Sequence, residues 1–204
     1  MPVSKTAKKS DAKKLDIIAT VKEGVSIGIA SMVPIFVNVL LWLLTFWIPY
    51  LNVGTTIGLW VGIVSKASRG EAIPMTEIFD PKYRKYMGEY FLTSGLVGIG
   101  IGAGIVFFII PGFVIGIAWS LAQLLVIDKG KNPSEAITLS NNCTYGNKGR
   151  IFCVYFLVFF ACGIAGGILG LIPILGKILA FAVSILSMFA LIGLKASIYR
   201  QLAK

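Results

Sequence analysis

Histidine is absent from this chain, its three cysteines, Cys143, Cys153 and Cys162, form no CxxC, and its nine acidic residues never stand at a spacing that implies a shared carboxylate site. An enzyme needs a nucleophile with a base, a carboxylate pair or a metal cluster. No catalytic residue, cofactor site or metal site is therefore expected. What polar chemistry remains lies in uncharged side chains set within long apolar runs, among them Asn38, Thr45, Thr55, Thr56, Ser120, Gln123, Ser184 and Ser187. Asn38 and Gln123 are the costliest of these to leave unpaired in an apolar medium. They are expected to join helices by hydrogen bonds, or to line a path for a solute. Gly98, Gly100, Gly102 and Gly104 resemble a dinucleotide-binding loop only superficially, because that fingerprint needs a preceding strand and an acidic residue about twenty positions on.

The elements that must position these side chains follow from hydropathy. Hydrophobic residues make up 56% of the 204 and charged residues only 14%, with a mean hydropathy of +0.85, which suits a bilayer better than a water-soluble core. Apolar runs cover about 25–48, 54–65, 91–110, 113–127, 151–172 and 174–194. Most are long enough, at about 1.5 Å per helical residue, to cross a hydrocarbon core of roughly 30 Å. The second and fourth are short spans that need snorkelling neighbours such as Lys66 and Lys129. Pro34 predicts a kink in the first. Pro49, Pro111 and Pro173 fall 62 residues apart, each in an uncharged turn between two runs. The expected fold is an all-α polytopic membrane bundle of six transmembrane helices arranged as three hairpins. Interfacial amphipathic helices lie on the cytoplasmic side, one of them over 11–23. The repeat units span about 11–68, 69–130 and 131–204, one membrane domain preceded by a disordered basic tail at 1–10. Small residues four apart, as in Gly24/Gly28, Gly54/Gly58/Gly62, Gly98/Gly102, Gly112/Gly116 and Gly163/Gly167, are expected to let helices approach closely.

Charge sets the orientation. With six spans and an inner N-terminus, every one of the 19 lysines and arginines except Lys177 falls on or beside the cytoplasmic side, as the positive-inside tendency requires. The apolar interiors of the spans hold no ionisable group, so no proton or ion relay is expected there. The net charge of +10 is better explained by topology and by anionic lipid than by nucleic acid, since polybasic segments beside a membrane gain about 1 kcal/mol per near-surface cation. Lys13, Lys14, Lys22 and Lys177 are the expected lipid contacts. Trp47 and Tyr50 at one end, and Tyr83, Tyr86, Tyr90 and Tyr199 at the other, fit interfacial aromatic belts. Asn132, Pro133 and Glu135 predict a helix start with N-cap, first-turn proline and capping-box acid.

The stretch Arg69-Gly70-Glu71-Ala72-Ile73 leading to Ile78-Phe79, then Ile110-Pro111-Gly112, then Val126-Ile127-Asp128-Lys129-Gly130 with Ser134-Glu135-Ala136, Ser140 and Tyr145-Gly146-Asn147, resembles a bacterial pattern. It is similar to the membrane domain attached to some glycerophosphodiester phosphodiesterases and to its stand-alone relatives. The resemblance implies an all-helical multi-pass domain of the bacterial inner membrane, with the phosphodiesterase chemistry in a separate domain absent here. Arg69, Gly70, Asp128, Gly130, Glu135 and Asn147 carry over only as a cytoplasmic loop signature. The expected function is a non-catalytic membrane-organising or lipid-interacting scaffold, as an oligomer or with a membrane partner protein. A transporter or channel for a small neutral or anionic solute is the alternative.

Overall fold

A computed structural model describes residues 14–173 and 175–203; Lys13 and the basic tail lie outside the described residues. The described secondary structure is entirely helical. In chain order it comprises α1 (Ile17–Ala30), α2 (Met32–Thr45) and α3 (Pro49–Ile57), which runs through a π-helical turn (Gly58–Gly62) into α4 (Ile63–Arg69). After a 3-10 turn (Glu77–Phe79) and the short α5 (Lys82–Lys85) come α6 (Met87–Phe107), α7 (Ile109–Ala118), α8 (Ala122–Lys129), α9 (Pro133–Thr144), α10 (Lys148–Gly170) and α11 (Leu175–Leu202). Among the described residues four helical stretches are long and apolar enough to cross a membrane: Met87–Phe107, Ile109–Lys129, Lys148–Gly170 and Leu175–Leu202. The pair α1 and α2, bent by 65° at its junction, makes a fifth if taken as one span. The run through α3 and α4 is not among them. It sits in the middle of the bundle, where Ile57, Leu59, Val61, Ile63 and Val64 are almost wholly buried.

Proline stereochemistry explains where the helices stop. A proline cannot donate to the carbonyl four residues back, and its ring collides with that carbonyl. The residue four before Pro34 is Ala30, the last of α1; before Pro49 it is Thr45, the last of α2; before Pro111 it is Phe107, the last of α6. Before Pro173 it is Leu169, one short of the end of α10. The equal spacing of three of these prolines thus becomes an equal spacing of helix ends. Two details differ from expectation. The bend near Pro34 falls at Ser31, and Pro34 itself occupies the first turn of α2, where its missing N–H is no loss. Pro111 likewise sits inside the first turn of α7, the chain reversing instead at the extended Phe108.

At the other end, α4 and α8 finish alike, with a basic residue followed by a glycine in the left-handed region: Arg69 then Gly70 at φ 72°, and Lys129 then Gly130 at φ 59°. That conformation is nearly free only to glycine, and it turns the chain while satisfying terminal carbonyls.

Helix α1 was expected to lie on the surface over 11–23 and give way to a span near Val25. Instead it is one helix from Ile17 that packs along α11. The fit is close because Gly24 and Gly28 face Gly193, whose added Cβ would stand 2.0 Å from the Gly24 carbonyl oxygen. Gly58 and Gly62 similarly admit Ile78 and Tyr83. Gly98, Gly102, Gly163 and Gly167 meet nothing within 4 Å, so among the described residues those two pairs admit no close neighbour.

Candidate functional site: a polar end and a lysine-lined cavity

Apart from Lys177 in the first turn of α11, the described charged side chains gather toward the end where α1, α6 and α10 begin and α4, α8 and α11 finish. Asp128, near the end of α8, is the hub. Its Oδ1 accepts from Ser65 Oγ at 2.5 Å and from Arg69 Nη1, and its Oδ2 accepts from Tyr199 Oη at 2.8 Å. One carboxylate thereby ties α4, α8 and α11 together. Arg69 turns its other edge to Glu71, with Nε and Nη2 donating to the two carboxylate oxygens at 2.6 and 3.0 Å. This two-pronged contact holds the Glu71 carboxyl below the usual carboxylate range and raises Arg69 further.

A second cluster surrounds Glu77, which is 3% exposed. It accepts from Lys66 Nζ at 2.6 Å and from the Tyr83 hydroxyl, with Lys82 at 3.7 Å. Burial, then the bond to Glu77, pushes the Tyr83 phenol up. Glu23 anchors a third, pairing with Arg200 and accepting from Ser197 Oγ at 2.5 Å and Gln201 Nε2 at 3.1 Å. It fastens α1 to α11 above their glycine contact.

Asn38 is fully buried on α2 and uses its amide locally. Its Nδ2 donates to the carbonyls of Pro34 at 2.8 Å and Pro74 at 2.9 Å, while its Oδ1 accepts from the Ile78 N–H at 3.1 Å. The side chain therefore draws the 70–81 loop into the bundle.

Gln123 has a different setting. With Val97, Gly116, Ile117, Trp119, Ser120, Ile151, Tyr155 and Lys195 it lines a cavity of about 370 Å³, and its Nε2 donates to Ser94 Oγ at 2.9 Å. The cavity lies at the break between α7 and α8. There Ser140 of α9 donates to the Ala118 carbonyl at 2.7 Å and accepts from the Leu121 N–H at 3.2 Å, and Thr144 also donates to Ala118 at 3.2 Å. These bonds satisfy backbone groups that an interrupted helix leaves open.

Lys195 falls one residue beyond the last apolar run, on the same helix. It lies on the helix Leu175–Leu202, is half-buried and borders this cavity. Among the described residues neither its ammonium nor the Tyr155 hydroxyl has a hydrogen-bond or ion-pair partner, and neither is sealed off from the cavity. Lys195 was missed because the apolar run ends at Leu194; the helix, however, continues to Leu202.

No family model matches this chain, and no curated protein or solved structure is significantly similar to it.

The remaining expected residues divide by location. Gly70 and Gly130 are helix caps. Asn132 caps α9, its Oδ1 accepting from the Glu135 N–H at 2.9 Å, with Pro133 in the first turn; Glu135 faces Lys131 at 3.9 Å. Asn147, 1% exposed, accepts from the Leu15 N–H at 2.9 Å. Lys14, Lys22 and Lys177 are exposed. The cysteines were expected to be small buried hydrophobes, but Cys153 is exposed and Cys143 and Cys162 are intermediate.

Arg150 was not anticipated. It donates to the Leu15 carbonyl at 2.8 Å, and with Lys14, Asp16, Ile17 and Ile18 it borders a surface depression of about 530 Å³. Further along the α1 and α10 side, Val21, Val25, Ile29, Leu157, Val158 and Phe189 help line an apolar groove of about 400 Å³.

Proposed function

We propose that this chain is a non-catalytic protein of the bacterial cytoplasmic membrane, a scaffold that holds anionic phospholipid, with three membrane hairpins and both termini inside. The observation that carries the reading is a depression bordered by two cations and an apolar groove on one side of the fold. Lys14 and Arg150 border the first, with Asp16 engaged at the start of α1. The second is lined by the same two helices, α1 and α10, together with α11, and Ile17 and Val21 stand one turn apart between them. A headgroup phosphate fits the cations and an acyl chain the groove, the pairing expected of an interfacial lipid site. Exposed Phe107, Phe108, Phe159, Leu171 and Phe181 add apolar surface of a kind that suits lipid better than water. The rival, a solute path past Asn38 and Gln123, has less support, because the Asn38 amide is occupied by Pro34, Pro74 and Ile78.

The test is lipid retention by purified protein in nanodiscs, read by native mass spectrometry with phosphatidylglycerol against phosphatidylcholine. At about 1 kcal/mol per near-surface cation, Lys14→Gln and Arg150→Gln should each lower the preference for phosphatidylglycerol by roughly fivefold. Undiminished retention in the double variant would rule out this lipid site.

A further inference from the structure

Lys195 is a half-buried cation with no counter-charge among the described residues. The described carboxylates are engaged elsewhere: Glu23 with Arg200, Glu71 with Arg69, Glu77 with Lys66, Asp80 with Lys82, Asp128 with Arg69, Glu135 with Lys131, and Asp16 on the Ala19 N–H at the start of α1. Glu89 is exposed in the first turn of α6 and forms no ion pair with Lys195. A half-buried ammonium with no counter-charge beside it attracts an anion, and the adjoining space leaves room for one.

The space suits one. Its volume of about 370 Å³ lies within the roughly 300–1,000 Å³ typical of ligand pockets. Its polar lining is rich in hydrogen-bond donors. Besides the ammonium these are the Tyr155 hydroxyl, which has no hydrogen-bond partner among the described residues, the Trp119 indole and the Gln123 amide. Trp119 is held over Gly100, where an added Cβ would meet the ring at 2.0 Å, so the indole is positioned by packing.

We infer that the cavity at the α7–α8 break is a binding site for a phosphate-type oxyanion, held by Lys195 with Tyr155, Gln123 and Trp119 as neutral donors. The oxyanion is the headgroup of a lipid or free inorganic phosphate. This site is separate from the surface depression at Lys14 and Arg150 and does not depend on it.

The experiment uses the full chain in a neutral detergent, titrated with radiolabelled inorganic phosphate by equilibrium dialysis, and in parallel nanodiscs containing phosphatidylglycerol, read by native mass spectrometry. Binding in either arm that falls about thirtyfold or more in Lys195→Met, falls less in Gln123→Leu and persists in Lys195→Arg supports the site. Retention in dialysis identifies a free oxyanion, and retention in nanodiscs alone identifies a headgroup. Lys14→Gln with Arg150→Gln should leave binding at this cavity intact. If neither arm shows binding, or if Lys195→Met binds as the wild type does, the inference is overturned. Should Lys195→Met fail to fold, the Nζ resonance of Lys195 in ¹⁵N-lysine-labelled wild type, assigned through Lys195→Arg, must shift on adding phosphate; an unmoved resonance refutes the site.

Discussion

Three donors from two helices converge on the Asp128 carboxylate, Ser65 and Arg69 from α4 and Tyr199 from α11, so this side chain does more for the assembly than its place at a helix end suggests. Hydrogen bonds to a charged group each contribute about 1.5–3 kcal/mol. In Asp128→Asn the charge is lost and the amide offers one acceptor where the carboxylate had two. We expect a loss of roughly 2–3 kcal/mol, seen as a lower midpoint of thermal unfolding in detergent, with Ser65→Ala costing less. An unchanged midpoint in Asp128→Asn would mean that this cluster does not hold the three helices together. Arg69 and Asp128 were both noticed in the sequence as parts of a loop signature. Their mutual contact, across 59 residues, was not legible there, because nothing local to either position specifies how α4 and α8 are rotated.

Among the elements, glycine patterns separate into two kinds. Those of α1 and α11 are filled by a neighbouring backbone, whereas Gly98 and Gly102 of α6 face open space. Helix–helix approach without a hydrophobic drive depends on such close backbone contact, so a single methyl distinguishes the kinds. Gly193→Ala should destabilise by about 1–3 kcal/mol, the usual cost of overpacking. Gly98→Ala should be neutral or gain up to about 1 kcal/mol from helix propensity. Chemical denaturation in mixed micelles followed by circular dichroism would compare the two, and equal effects would disprove the packing of α1 on α11. Spacing alone made these glycines look equivalent, since small residues four apart mark a helix face without saying what lies opposite.

At the scale of the molecule, apolar turns and charged ends occupy opposite poles. Trp47, Phe108 and Leu171 are 86%, 75% and 83% exposed at the turns, and the paired Arg69, Asp128 and Glu23 lie at the other end. With the three native cysteines replaced, Trp47→Cys, Phe108→Cys and Leu171→Cys should each react with a membrane-impermeant maleimide added to intact cells. Lys131→Cys should react only after permeabilisation. These exposed positions are better probes than Gly112 or Gly176, where any side chain meets a neighbour at 2.4 Å or less. Labelling of Lys131→Cys from outside would invert the orientation derived from the basic residues.

The chain alone determined what acts within about one helical turn: apolar runs long enough for helices, prolines that end them four residues upstream, and glycines that turn them after Arg69 and Lys129. These effects depend on covalent geometry and on hydrogen bonds between near neighbours. Only the tertiary structure decided that the run through α3 and α4 is enclosed by the others, that Asn38 serves a loop while Gln123 serves a cavity, and that Lys195 stands beside that cavity with no carboxylate partner among the described residues. Those outcomes follow from the rotation of each helix about its axis. That rotation is fixed jointly by residues far apart in the chain, such as Gly24 against Gly193 and Arg69 against Asp128.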